Sequence, residues 1–270
     1  MTKLANILDK IIADKRNEVA ERKSLTRLDE LKEQISSLPK CRNFYKAVTQ
    51  PSSRGINVIA EVKKASPSAG LIRRDFDPVA IAQIYEKCGA NAISVLTDEK
   101  YFQGRLEYVK QVHDVVTLPV LRKDFIVDIW QVYESRAAGA DAILLIADAL
   151  KTGELMDLMI TAAELTLTVL LEIHDADTLL KIRKITGFPK KGYSVLGINN
   201  RDLTTMKVDL KTTSRLAGLL DNTDELVAES GIKTRADVET LKKAGVKAVL
   251  IGQTLCENPD IEQKFKELFG

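Results

Sequence analysis

Cysteine, histidine and tryptophan are scarce, with three Cys, two His and one Trp in 270 residues. Cys41, Cys88 and Cys256 lie far apart, are odd in number and form no Cys-x-x-Cys pair. That argues against a disulfide framework and against a zinc site, and it fits a reducing cytoplasm. His113 and His174 with no clustered Cys are too few ligands for a metal centre, so none is expected. A surplus of one charge sign is also missing: 40 Lys+Arg against 38 Asp+Glu leave a net charge of +2. So small an excess cannot build a phosphate-tracking surface, which excludes nucleic acid as an expected partner and favours small-molecule chemistry. No run approaches the roughly 18 apolar residues of a membrane span. The N-terminus carries Asp9, Asp14, Glu18 and Glu21 among its basic residues and lacks the apolar core of a signal peptide. No membrane association is expected, and the location expected is cytoplasmic.

Apolar residues make up 45 % and charged residues 29 %, enough to bury a large core without outside help. From Leu4 to about Val48 the pattern is helical, with Leu4, Ile7, Leu8, Ile11 and Ile12 on one face and a second, shorter helix over Leu28 to Ile35. From Asn57 onward, short β-branched runs alternate with amphipathic helices, as in βαβ units with a parallel sheet. Eight runs read as strands: Val58 to Val62, Ala92 to Leu96, Pro119 to Lys123, Ala142 to Ile146, Thr168 to Glu172, Val195 to Asn199, Leu226 to Glu229 and Ala248 to Ile251. Gly89-Ala90-Asn91-Ala92, Gly139-Ala140-Asp141-Ala142 and Gly245-Val246-Lys247-Ala248 each end a helix and launch a strand. Their spacing is about 25 to 27 residues per unit, the regularity of a closed ring. No Gly-x-Gly-x-x-Gly follows the first strand, which counts against an open dinucleotide-binding sheet. The expected architecture is an α/β (β/α)8 TIM barrel over residues 49–270, with residues 1–48 as a helical extension packed across one mouth.

In such barrels chemistry sits at the C-terminal ends of the strands. Here those ends are charged or polar: Glu61-Val62-Lys63, Lys123-Asp124, Glu172, Asn199 with Arg201 beyond it, and Glu229-Ser230-Gly231. One such residue is ordinarily a side chain reaching water, but five strands closing this way converge on a single site. Lys and Glu there have pKa values that move readily into the general acid/base range when desolvated. Ser230-Gly231 and Gly252-Gln253 place glycine turns after strands seven and eight, where barrels present backbone N–H groups to phosphate. Tight turning is the commoner reason for a loop glycine, but the paired placement favours a phosphorylated substrate. His174, two residues after Glu172, reads as a loop residue outside the site, and Trp130 as a residue packed on the barrel. The basic run from Lys181, Arg183 and Lys184 to Lys190 and Lys191 reads as a solvated face.

The segment Ile59-Ala60-Glu61-Val62-Lys63-Lys64-Ala65-Ser66-Pro67-Ser68 closely resembles the signature of the indole-3-glycerol-phosphate synthase family. The resemblance continues through Ser94-Val95-Leu96-Thr97-Asp98, Tyr101-Phe102-Gln103-Gly104, Leu121-Arg122-Lys123-Asp124-Phe125-Ile126, Leu171-Glu172-Ile173-His174, Gly197-Ile198-Asn199-Asn200-Arg201-Asp202-Leu203 and Ala228-Glu229-Ser230-Gly231-Ile232. It covers nearly the whole chain, the helical extension included. It implies conversion of 1-(2-carboxyphenylamino)-1-deoxyribulose 5-phosphate into indole-3-glycerol phosphate, with ring closure and loss of CO₂ and water, without a cofactor. It assigns Lys123 to the acid that protonates the ketone, Glu172 and Lys63 to later proton transfers, Glu61 and Asn199 to orientation, and Ser230 to a further active-site position. Ser66, Gly231, Gly252 and Gln253 become phosphate candidates, Arg201 a further anion contact, and Phe102 and Phe125 walls of the anthranilate pocket. The family often has Glu or Ser after the last glycine; with Gln253 there, a backbone contact survives and a hydroxyl contact does not.

Rival readings are a Schiff-base aldolase using Lys63 or Lys123, a phosphoribosyl isomerase, which two lysines fit poorly, and a non-catalytic scaffold. The chain ends soon after the eighth helix, so a stand-alone enzyme, monomeric or weakly dimeric, is expected rather than a fusion. The segment Lys64 to Arg74, with Gly70 between polar residues, is expected to close over bound substrate.

Overall fold

The computed structural model describes residues 7–183, 185, 191–202 and 206–270. All eight expected runs are strands: β1 (Asn57–Val62), β2 (Ala92–Leu96), β3 (Val120–Lys123), β4 (Ala142–Ile146), β5 (Thr168–Ile173), β6 (Ser194–Asn199), β7 (Leu226–Glu229) and β8 (Ala248–Ile251). They pair in parallel in chain order, and β1 closes the ring on β8. The (β/α)8 barrel is therefore the fold. Both strand faces are covered, which is why these runs are continuously apolar rather than alternating. Val58, Ala60 and Val62 face the surrounding helices, whereas Ile59, Leu121, Leu170 and Val227 fill the barrel interior.

The N-terminal extension is three helices, α1 (Ile7–Leu25), α2 (Leu28–Ser36) and α3 (Phe44–Thr49). It runs the height of the barrel instead of covering one mouth. Leu8, Ile11, Lys15 and Val19 form the buried stripe of α1, and Ile7, Leu8 and Ile11 roof a cavity at the C-terminal mouth. Leu31 of α2 packs with Val19 and Trp130, and the Trp130 indole N–H donates to the Thr26 carbonyl at 3.1 Å. Trp130 thus serves the extension rather than the barrel wall. At the opposite mouth, Phe44 and Val48 of α3 are buried among interior residues such as Ile59 and Ala248. Asn57 fastens this plug by donating to the Val48 and Gln50 carbonyls at 3.0 and 2.9 Å.

Lys15 pins α1 to the upper rim. Its ammonium, 1 % exposed, lies 2.8 Å from Glu18, 2.9 Å from Asp98 and 3.0 Å from Asp124. Asp124 is also held by Arg122 at 3.0 Å and by the Thr97 hydroxyl at 2.6 Å, and Arg122 reaches Glu134 at 2.8 Å. A continuous buried charge network therefore links the extension to the strand carrying Lys123.

Leu4, Lys184, Lys190 and Leu203 lie outside the described residues. Within the basic run, Lys181 donates to the Ala147 and Leu150 carbonyls and Arg183 to that of Leu219. Among the described residues no helix is long and apolar enough to cross a membrane.

Candidate active site

The two-residue period of a strand determines which groups can meet. Ile59, Leu121, Leu170, Val195 and Val227 point inward, so Glu61, Lys123, Glu172, Asn199 and Glu229 also point inward, at the C-terminal ends of their strands. Pairing of Glu172 with Gly197 and of Asn199 with Glu229 shows them stepping around the same rim. Lys123 Nζ occupies the centre, 3.0 Å from Glu229 Oε2, 3.5 Å from Glu172 Oε2 and 4.0 Å from Glu61 Oε2. Lys63 Nζ pairs with Glu61 Oε1 at 2.9 Å, and Asn199 Nδ2 donates to Glu172 Oε1 at 3.1 Å.

These contacts divide the charges unequally. Burial alone would lower the Lys123 pKa, but Glu229, Glu172 and Glu61 outweigh it and hold the ammonium well above the ordinary lysine value. Burial would raise Glu172; Lys123, His174 and Asn199 overcome this and keep it well below the usual carboxylate range. Glu61 is likewise lowered against burial by Lys63 and Lys123. Glu229 goes the other way, pushed up to about 8 by burial and by neighbouring Glu172 in spite of Lys123. At neutral pH the site thus combines a protonated lysine, a firmly ionised carboxylate and a carboxyl poised to hold or release a proton.

The sequence marks Glu229 only as a strand end and not as a site residue. Its partner Lys123 is four strands away, and nothing in either local sequence announces the pair. The signal was the inward register of β7. Gly197 offers a second clue, because a Cβ there would collide with Glu229 Oε1. His174 is the loop residue expected, but it reaches the site's carboxylate. It follows β5 in irregular backbone, yet its Nε2 sits 3.3 Å from Glu172 Oε1 and its Nδ1 2.8 Å from Asp148 Oδ2.

Above this rim opens a cavity lined by Glu61, Lys63, Lys123, Glu172, Asn199 and Ser230 among its polar groups. Every residue that the sequence reading placed in catalysis borders it. A family model described as indole-3-glycerol phosphate synthase matches residues 8–268. The chain belongs to the indole-3-glycerol phosphate synthase family. An indole-3-glycerol phosphate synthase of Geobacillus thermodenitrificans is 47 % identical over 98 % of this chain and 97 % of its own. Those of Neisseria meningitidis and Prochlorococcus marinus are 45 % and 44 % identical over 98 % of this chain and 100 % and 89 % of theirs. Among solved structures, a thiamine phosphate pyrophosphorylase from Pyrococcus furiosus superposes with a TM-score of 0.56 at 15 % identity, covering 80 % of this chain and 94 % of its own. A mutant tryptophan synthase α-subunit from the same organism gives 0.56 at 14 %, covering 78 % and 97 %. At such identities these two speak for the barrel alone.

In this synthase-family chain, Ser66, Arg201, Gln253, Phe102 and Phe125 also line the cavity, whereas Gly231 and Gly252 do not. The rings of Phe102 and Phe125 lie 6.1 Å apart, and Lys63 Nζ stands 5.6 Å from the Phe102 centroid. Gly252 backs directly onto Glu61, since a Cβ there would strike its carboxylate. Gly231 follows Ser230 with both in the left-handed region, φ +82° and +65°. Asn200 holds this turn by donating to the Glu229 and Ser230 carbonyls at 3.0 and 3.2 Å. The turn is thereby held in a conformation that Ser adopts at a cost of order 1 kcal/mol. Arg201, lowered by burial, donates to the Met206 carbonyl at 3.2 Å.

Proposed function

We propose that the chain converts 1-(2-carboxyphenylamino)-1-deoxyribulose 5-phosphate into indole-3-glycerol phosphate with Lys123 as the acid of ring closure. The observation that carries this is the Lys123 ammonium, ringed by three buried carboxylates beneath a cavity with aromatic walls. As the aromatic carbon attacks the ketone, Lys123 donates a proton to the developing alkoxide, and its carboxylate partners accommodate the change in charge. Loss of CO₂ from the attacking ring carbon follows, since it leads toward recovery of aromaticity.

Dehydration needs a base for the ring N–H and an acid for the departing hydroxyl. Glu172, kept ionised, suits the base, and the Lys63 ammonium suits the acid. Glu61 orients both lysines, Asn199 orients Glu172, and Ser230 contacts substrate at the rim. Phe102 and Phe125 flank the anthranilate ring. The substrate phosphate is assigned to Ser66, Gln253 and the backbone amides of Gly231 and Gly252, with Arg201 as a second anion contact. Residues 1–48 act as an extension of the catalytic barrel of 49–270. The enzyme works without a cofactor in the cytoplasm, as a monomer or weak dimer, on a small molecule rather than nucleic acid or membrane.

The test is indole fluorescence appearing from this substrate with the parent protein and with Lys123→Ala. Turnover by the parent and a loss of roughly 10²-fold or more in the variant is the result expected of a general acid. Turnover without that loss would move the acid to Lys63. Absence of turnover by folded parent protein would remove the synthase reading. Borohydride inactivation in the presence of substrate would favour an imine-forming aldolase instead; a lysine held protonated is a poor nucleophile for that step.

A further inference from the structure

Behind Glu172, on the side away from Lys123, lies a second charged arrangement that the catalytic assignment leaves unused. His174 Nε2 is 3.3 Å from Glu172 Oε1, and its Nδ1 is 2.8 Å from Asp148 Oδ2. Asp148, in the turn after β4, is itself anchored: its other oxygen accepts the Thr178 hydroxyl. Lys181, on the same helix as Thr178, donates to the carbonyls of Ala147 and Leu150, which flank that turn. Neither His174 nor Asp148 lines the cavity. The two carboxylates leave the imidazole little choice of state. Nδ1 shares a hydrogen bond with Asp148, and Nε2, without a hydrogen bond of its own, faces Glu172 at ion-pair distance, so negative charge on both sides favours the protonated ring. Burial opposes that charge, but Asp148 and Glu172 outweigh it and push the His174 pKa up to about 10.

We propose that Asp148 and His174 form a buttress that fixes the Glu172 carboxylate for proton transfer, making His174 a positioning residue for the reaction. The Asn199 amide donates to Oε1 and the imidazolium lies at ion-pair distance from the same oxygen, which leaves Oε2 turned toward Lys123. This geometry holds the base both oriented and ionised. The groups facing Glu172 are His174, Lys123, Asn199, Glu229 and Glu61; those facing His174 are Asp148 and Glu172.

The inference rests on Glu172 acting as the base, so its two parts are tested separately. Titration of the His174 ring by NMR in the ligand-free parent protein reads the buttress itself, and it should show both nitrogens protonated from pH 6 to beyond pH 8. Glu172→Gln and Asp148→Asn should each bring the ring back toward an ordinary histidine titration. A parent His174 that titrates near pH 6.5 overturns the proposal whatever the kinetics show. Steady-state kinetics then read the consequence. His174→Ala should lower kcat with KM little changed and move the acid limb of the kcat profile upward by roughly one pH unit or more, as loss of a cation beside a carboxylate requires. Asp148→Asn should lower kcat at and above neutral pH, where its ring loses the proton, and leave the acid limb in place. The substrate's own ionisations are common to all variants and drop out of the comparison. His174→Gln, which keeps a polar group beside Oε1 without the charge, should recover part of kcat but not the position of the limb. Variants that match the parent in kcat and profile would overturn the positioning role. If Glu172→Gln itself retained parental kcat while the NMR result held, the buttress would stand and only the assignment of Glu172 as base would fall.

Discussion

Replacing Lys15 by Met removes the one buried cation that joins α1 to the rim of the site. Three carboxylates meet Lys15, and they do not suffer equally. The Glu18 side chain is 34 % exposed and returns to water. Asp124 keeps Arg122 and the Thr97 hydroxyl. Asp98, 1 % exposed, keeps only the Tyr101 backbone N–H on Oδ1, and its Oδ2 becomes a buried charge without a cation. One such orphan costs about 3–5 kcal/mol, which lowers Tm by about 2–4 °C per kcal/mol in a chain of this size.

The loss also depends on pH, and its sign follows from Asp98. Burial already raises its pKa while Lys15 restrains the rise. Without Lys15 the folded-state pKa climbs further above the unfolded value, so the folded variant takes up a proton that its unfolded chain does not. The stability associated with that proton is present at low pH and is lost as pH rises through the new pKa. The deficit relative to the parent should therefore be small near pH 4 to 5 and full by pH 8. Urea unfolding at both pH values measures it. In Lys15→Met/Asp98→Asn the side-chain oxygen that caps Tyr101 survives and the orphan charge does not, so the pair should be coupled by about 1–3 kcal/mol. Additive effects with a deficit equal at both pH values would refute this account of how α1 is held.

Two further outcomes are expected. Gly197→Ala drives a methyl into Glu229 Oε1, and Gly252→Ala does the same to Glu61; displacing either carboxylate by about 1 Å should lower kcat by up to about 10²-fold with only a small change in Tm, read by steady-state kinetics beside a melting curve. Amide exchange over Lys64 to Arg74, where Ala65–Ser66 pairs with Gly70–Leu71 in a small hairpin, should slow on adding a product analogue, and exchange that is unchanged there would argue against closure over substrate.

The barrel was legible because its strands carry their own evidence. Eight buried runs separated by glycine-ended helices repeat at nearly constant spacing, and each observed strand begins and ends within a single residue of the run that announced it. The inward residues at the strand ends were legible for the same reason, since period two carries Ile59 to Glu61 and Leu121 to Lys123. What local pattern could not supply was partnership. Lys123 with Glu229, Lys15 with Asp98, and His174 with Asp148 join residues far apart in the chain, and a lone His or Glu looks the same with such a partner as without one. The extension shows a related limit. An apolar stripe says that a helix is covered, but Phe44 and Val48 needed the closed ring to reveal which mouth they fill.

That plug has a consequence for how the chain reaches its folded state. The cavity that receives Phe44 and Val48 is bounded at one mouth by the first and last strands of the ring, Ile59 of β1 and Ala248 of β8 among them. It does not exist until the last strand has joined the first. Docking of α3 is therefore tied to ring closure, a contact between distant parts of the chain whose loop entropy makes it slow. Before that moment, a segment synthesised early must wait with its aromatic face exposed, so the interval before closure is when this protein is most open to aggregation.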